Sequence, residues 1–230
     1  MSERFLEGYL IDKLPALGDA KLAAAAVRKK AKAAQVTDVE MTLGEGERKP
    51  GKALATKILD AMAADELDDL FDDDEGDEFV VDDYAVMRVA QMVLSAYGTS
   101  LGTIEMPFVE GDPNGFPTGV WKALKMPVLA KLYGKTSFAW PTKKPGDVDW
   151  PIAMQIAGKD LAAVKAELAK PRDVEALPLA LFVSKEYGTE KDVVEMTREE
   201  LGSAFDDLAK WVTTAVTKKK TLVIVLDGDQ

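Results

Sequence analysis

The chain contains neither cysteine nor histidine in its 230 residues. The first absence removes disulfides, thiolate nucleophiles and every cysteine-ligated metal site. The second removes imidazole as a metal ligand and general base, and with it serine–histidine and cysteine–histidine catalysis. Arginine is scarce, at six residues among 29 bases. No apolar run approaches the ~20 residues of a membrane-spanning helix. The opening Met1-Ser2-Glu3-Arg4-Phe5 brings an acid early and no long apolar stretch. No signal peptide is therefore expected, and a cytoplasmic setting is.

What remains is an ordinary globular composition, 47% apolar and 30% charged. A chain of this length buries roughly 70% of its unfolded surface without covalent staples. The net charge of -11 is unevenly placed. Thirteen of the 40 carboxylates lie between Asp60 and Asp83 with no Lys or Arg among them, and the other 27 face 29 bases. A weakly basic body thus carries one acidic stretch. Its opposite pole is Trp121 to Lys144, where six lysines meet no carboxylate and Trp121, Tyr133, Phe138 and Trp140 are interleaved. A second basic cluster, Lys21, Arg28, Lys29, Lys30 and Lys32, falls on an expected helix.

Periodicity and stop signals predict helices over 3–14, 19–34, 53–71, 80–97, 121–133 and 151–169, and from Thr197 to Val216. Thr197-Arg198-Glu199-Glu200 reads as a capping box opening the last of these. Pro127 either begins or kinks the helix that contains it. Strands are expected at 36–43, 103–109, 179–184 and 221–226. The run Leu222-Val223-Ile224-Val225-Leu226 suits a strand buried on both faces. The fold expected is a helix-dominated α+β fold with a small mixed sheet and a C-terminal β-α-β unit. A single domain over 1–230 could divide into two lobes, 1–98 mainly helical and carrying the acidic segment, and 99–230 mixed α/β.

Several motifs compete for a chemical reading. Gly46-Glu47-Arg48-Lys49-Pro50-Gly51-Lys52-Ala53 matches a phosphate-binding loop placed between a strand and a helix. Against it, Ala53 stands where a magnesium-holding hydroxyl belongs, and Pro50 removes a backbone donor. The run Asp72 to Glu78 is rich in oxygen ligands, but placing Gly76 sixth in a calcium loop puts Phe71 in the first ligand position. Asp227-Gly228-Asp229 resembles a magnesium-holding pair and also a frayed chain end. The basic-aromatic stretch contains no arginine, and the acidic run would repel a polyanion, so nucleic acid is disfavoured as a partner. No cofactor, metal site or catalytic residue is assigned.

The acidic run carries the functional expectation. Asp65, Glu66, Asp68, Asp69, Asp72, Asp73, Asp74, Glu75, Asp77 and Glu78 form a candidate surface for a basic protein partner, of the inhibitor, immunity-protein or nucleic-acid-mimic type. Leu67, Leu70, Phe71 and Phe79 would anchor it. Trp121, Lys122, Lys125, Lys131, Lys135, Trp140, Lys143 and Lys144 form a secondary basic-aromatic surface. That second surface opens an alternative, a structural subunit of a virion or other assembly in which the acidic pole of one copy meets the basic pole of the next. A third reading is an enzyme using carboxylates and a metal. Whether a small molecule binds is open.

Overall fold

The uninterrupted apolar run near the C-terminus forms one of the two inner strands of a four-stranded sheet. A computed structural model describes residues 4–12, 42–43, 47–48, 56–61, 91, 94–95, 97–106, 118–135, 153–178 and 191–227. Helix accounts for 57% of these, so the fold is α+β and helix-dominated. The strands are β1 (Arg4–Ile11), β2 (Thr42–Leu43), β3 (Glu47–Arg48), β4 (Gly98–Met106), β5 (Ala153–Ile156) and β6 (Thr221–Asp227). The helices used below are α1 (Thr118–Ala123), α2 (Pro127–Lys135), α3 (Gly158–Leu168) and α4 (Lys191–Lys218). Two compact units divide the chain. One comprises Met1–Leu10, Ser100–Phe138 and Ile152–Gln230; the other comprises Ile11–Thr99 and Ala139–Pro151.

The small sheet is four-stranded and antiparallel, in the order β4-β1-β6-β5. Between β5 and β6 the register pairs Met154 with Ile224 and Ile156 with Leu222. Leu222, Val223, Ile224 and Val225 are all buried, as expected for a strand covered on both faces. Leu6 and Leu10 of β1, Ile104 of β4, Met154 and Ile156 of β5, and Leu222 and Ile224 of β6 join one core cluster. The α4 stripe Leu201, Phe205, Leu208, Val212 and Ala215 completes it, at the three-to-four spacing of a buried helix face. Helix α3 packs on α4, and α2 packs on α3.

Four sequence expectations are corrected in the described residues. Residues 4–11 form a strand rather than a helix. Leu6, Gly8 and Leu10 alternate toward the core, and at Gly8 a Cβ would stand 2.6 Å from the Trp211 ring. A glycine inside a strand marks such a close approach. Residues 153–156 are also a strand, with α3 beginning only at Gly158. Strand β4 begins at Gly98, ahead of the expected Thr103. Thr197 lies inside α4, which is already helical at Lys191, so the capping-box pattern does not open that helix. The expected strand at 179–184 lies outside the described residues, as do the helix at 19–34 and most of the strand at 36–43. Pro127 begins its helix, as one of its two readings had it.

The described residues that follow α3, up to 178, are held by two arginines. Arg172 donates to the Leu168 carbonyl at 2.6 Å, pairs with Asp206, and lies 5.8 Å over the Phe205 ring. Arg198 donates to the Leu177 carbonyl at 3.0 Å and reaches Glu175 at 3.4 Å. In the other unit, residues 56–61 are helical, with Ile58, Leu59 and Ala61 buried. Helix also reaches Tyr97, and Gly98 ends it as expected.

Candidate protein-interaction site

The acidic candidates Asp65, Glu66, Asp68, Asp69, Asp72, Asp73, Asp74, Glu75, Asp77 and Glu78 lie outside the described residues. Of the whole acidic run, only Asp60 is described, half-buried in the helix at 56–61. The basic-aromatic candidates are divided. Trp140, Lys143 and Lys144 fall outside the description, and Lys135 is placed only as the last residue of α2. Trp121, Lys122, Lys125 and Lys131 are fully described.

Trp121 is not a surface residue. It is 0% exposed, and its ring centroid lies 4.7 Å from that of Phe205, tilted by 39°. Its place in the candidate surface is therefore corrected: an indole amid this core cannot stack on a ligand. The lysines around it behave oppositely, because α1 turns one face to the core and the other to solvent. Lys122, Lys125 and Lys131 are all exposed.

The turn between α1 and α2 brings these lysines together. Lys125 adopts the left-handed conformation with φ 57°. Its N–H donates to the Lys122 carbonyl at 3.0 Å, and the Met126 N–H donates to the Trp121 carbonyl at 2.8 Å. This pair of bonds is the Schellman closure of a helix end, with lysine where glycine is usual. Met126 then points inward, 2% exposed, and Pro127 supplies the first residue of α2 with no N–H to satisfy.

Helix α2 still exposes two donors that need a partner, and Met126 has no side-chain acceptor to offer. Glu167 of α3 provides it. Its two oxygens accept from the Val128 N–H at 2.9 and 3.1 Å, and one of them also accepts from the Leu129 N–H at 3.1 Å. The carboxylate is only 4% exposed. It meets the positive end of α2, where an anion is favoured. Sequence reading missed this residue. The available signal was a Met-Pro helix start with no Ser, Thr, Asp or Asn before it, which demands a cap from elsewhere in the chain.

Between the two helices lies a recess of about 340 Å³, lined by Lys122, Lys125, Met126, Pro127, Ala130 and Lys131. Neither helix carries an acidic residue. Among the described residues, none of the three lysines is in an ion pair. The product is an apolar floor with three unneutralised ammonium groups around it. The Glu167 carboxylate nearby is already committed to backbone donors.

The remaining motifs are less developed. Glu47 and Arg48 pair antiparallel with Leu43 and Thr42. In the described part of Gly46–Ala53, the backbone therefore belongs to a hairpin ladder rather than to an open phosphate cradle. Asp227 ends β6, and Gly228 and Asp229 lie outside the description. Among the described residues, no three acidic side chains gather where they could hold a metal ion, and no helix is long and apolar enough to cross a membrane. Burial, then the carboxylates of Glu105 and Glu199, push the Glu200 carboxyl above its ordinary value. No family model, curated protein or solved structure matches the chain.

Proposed function

We propose that this chain is a non-enzymatic interaction module whose acidic segment, residues 60–83, engages a basic protein surface. The observation that carries this reading is the concentration of thirteen carboxylates there, uninterrupted by any base. Such a density repels itself in the free chain and is relieved by an opposite charge, which also speeds encounter. The interspersed Leu67, Leu70 and Phe71 add apolar area that a purely solvated acidic tail would not need. The setting proposed is the cytoplasm, free or within a particle assembled there.

Isothermal titration of the full chain with decalysine, as a minimal basic surface, tests the reading. Binding should weaken on the order of tenfold or more in the Asp68→Asn, Asp69→Asn, Asp72→Asn, Asp73→Asn variant, with far-UV dichroism unchanged. An unaltered Kd would remove the segment from the interaction.

A second reading has its own support. The exposed lysines of the α1–α2 turn, in no ion pair among the described residues, supply a basic surface on the same chain. A structural subunit that assembles through acid-to-base contacts between copies would use both poles.

A further inference from the structure

We infer that the recess between α1 and α2 receives the acidic segment of a second copy of this chain. The inference rests on the second reading above and gives it a receptor. Three observations lead to it. The rim consists of Lys122, Lys125 and Lys131, exposed and in no ion pair among the described residues. The floor is apolar, formed by Met126, Pro127 and Ala130. Glu167, which meets the start of α2, spends both oxygens on backbone N–H groups, and among the described residues no carboxylate pairs with the three lysines.

The complementary ligand is encoded in the same sequence. In residues 65–78, Leu67, Leu70 and Phe71 stand among ten carboxylates, the combination that three ammonium groups around an apolar floor would recognise. At about 340 Å³ the recess sits at the small end of ligand pockets, enough for an apolar side chain or two rather than a cofactor. Because Glu167 already fills the N-terminus of α2, the anion would be held by lysine side chains alone. Binding should accordingly be strongly salt-dependent. The two contacting surfaces are different, so the contact is heterologous and either closes into a ring or continues as a filament.

Light scattering behind size-exclusion chromatography, across protein concentration at about 50 mM and about 500 mM salt, tests this on the full chain. Wild type should exceed its 24.9 kDa chain mass at low salt and return to it at high salt. The variant Lys122→Glu, Lys125→Glu, Lys131→Glu should lose self-association by about tenfold or more. The variant Asp68→Lys, Asp69→Lys, Asp72→Lys, Asp73→Lys should do the same. Mixing the two variants should restore assembly, since each then offers a surface opposite to one on the other, and unfolded variants could not do so. A wild type that stays at chain mass at low salt overturns both the inference and the self-association reading. A wild type that assembles while the lysine variant assembles equally overturns the inference alone and leaves self-association through another surface.

Discussion

Removing the Glu167 carboxylate tests how the candidate surface is held in place. Glu167 sits at 4% exposure and accepts three short contacts from two backbone donors of α2. Replacing it with Ala leaves the Val128 and Leu129 N–H groups without acceptors, and Leu129 is fully buried. Loss of a helix cap costs about 1–2 kcal/mol. A buried donor left unsatisfied costs about 1–3 kcal/mol. The two descriptions overlap, so we expect a total of about 3 kcal/mol for Glu167→Ala. Glu167→Gln keeps one acceptor but turns an NH₂ toward backbone donors, and should cost about 1–2 kcal/mol. In a chain this long, about 1 kcal/mol moves Tm by about 2–4 °C, so Ala should lower it by roughly 6–12 °C. The assay is thermal and urea unfolding, with amide exchange at Val128 and Leu129 as the local readout. Both amides should exchange faster in the variant than in wild type. A Glu167→Met variant as stable as wild type would refute the reasoning, because it would mean the desolvation of the carboxylate cancels everything its hydrogen bonds contribute.

Three further outcomes are expected. Gly8→Ala should destabilise by about 1–3 kcal/mol in urea unfolding, because its methyl group would enter the Trp211 ring at 2.6 Å and neither β1 nor α4 can easily withdraw; a neutral result would mean the strand shifts freely. Lys219, with φ 54° at the end of α4 and the same closing bonds from Lys219 and Lys220, should accept Gly with a gain of about 1 kcal/mol, read as a Tm rise of about 2–4 °C. The raised Glu200 carboxyl favours the protonated form in the folded state, so its contribution to stability declines as pH climbs from the ordinary glutamate range through the folded value. Glu200→Gln should therefore raise Tm at pH 7 relative to wild type and leave it nearly unchanged near pH 4; equal melting of the two proteins across that range would mean that neither burial nor the carboxylates of Glu105 and Glu199 disfavour its charged form.

The parts of the fold legible in the sequence are those in which one signal dominates. The five-residue apolar run of β6 has no polar face to present, so burial on both sides follows directly. The α4 stripe repeats at helical spacing for several turns, and its existence was clear even though Thr197 misplaced its start. Short elements were harder because two signals compete. Phe5, Leu6, Tyr9 and Leu10 follow a helical spacing rather than an alternating one, and only the central Gly8 favours the strand, through a contact with Trp211 some two hundred residues away. At residues 153–156, Pro151 suggested a helix start, yet pairing with β6 prevailed because an apolar edge beside a buried strand is worth more than local propensity. At the candidate site, lysine density was visible in the sequence, but which aromatics face outward was not. Trp121 and Lys122 are adjacent in sequence and opposite in fate, decided by where α1 meets Phe205. Glu167 could be found only by asking how α2 begins.

The left-handed lysines separate what stability explains from what it does not. Lys125 and Lys219 both close helices where glycine would remove a cost of about 1–2 kcal/mol, so neither is the residue that folding alone would select. Lysine at such a turn is thus not by itself the mark of a site, as Lys219 demonstrates. The difference at Lys125 lies in its company. Lys122 and Lys131 stand with it around one recess, whereas Lys210, on the exposed face of α4, is paired with Asp207 at 2.7 Å. On α4, Lys210 has the carboxylate of Asp207 three residues before it, whereas α1 and α2 contain no carboxylate. Among the described residues no carboxylate offsets the charge of the α1–α2 turn, and a bound acidic segment would neutralise it directly.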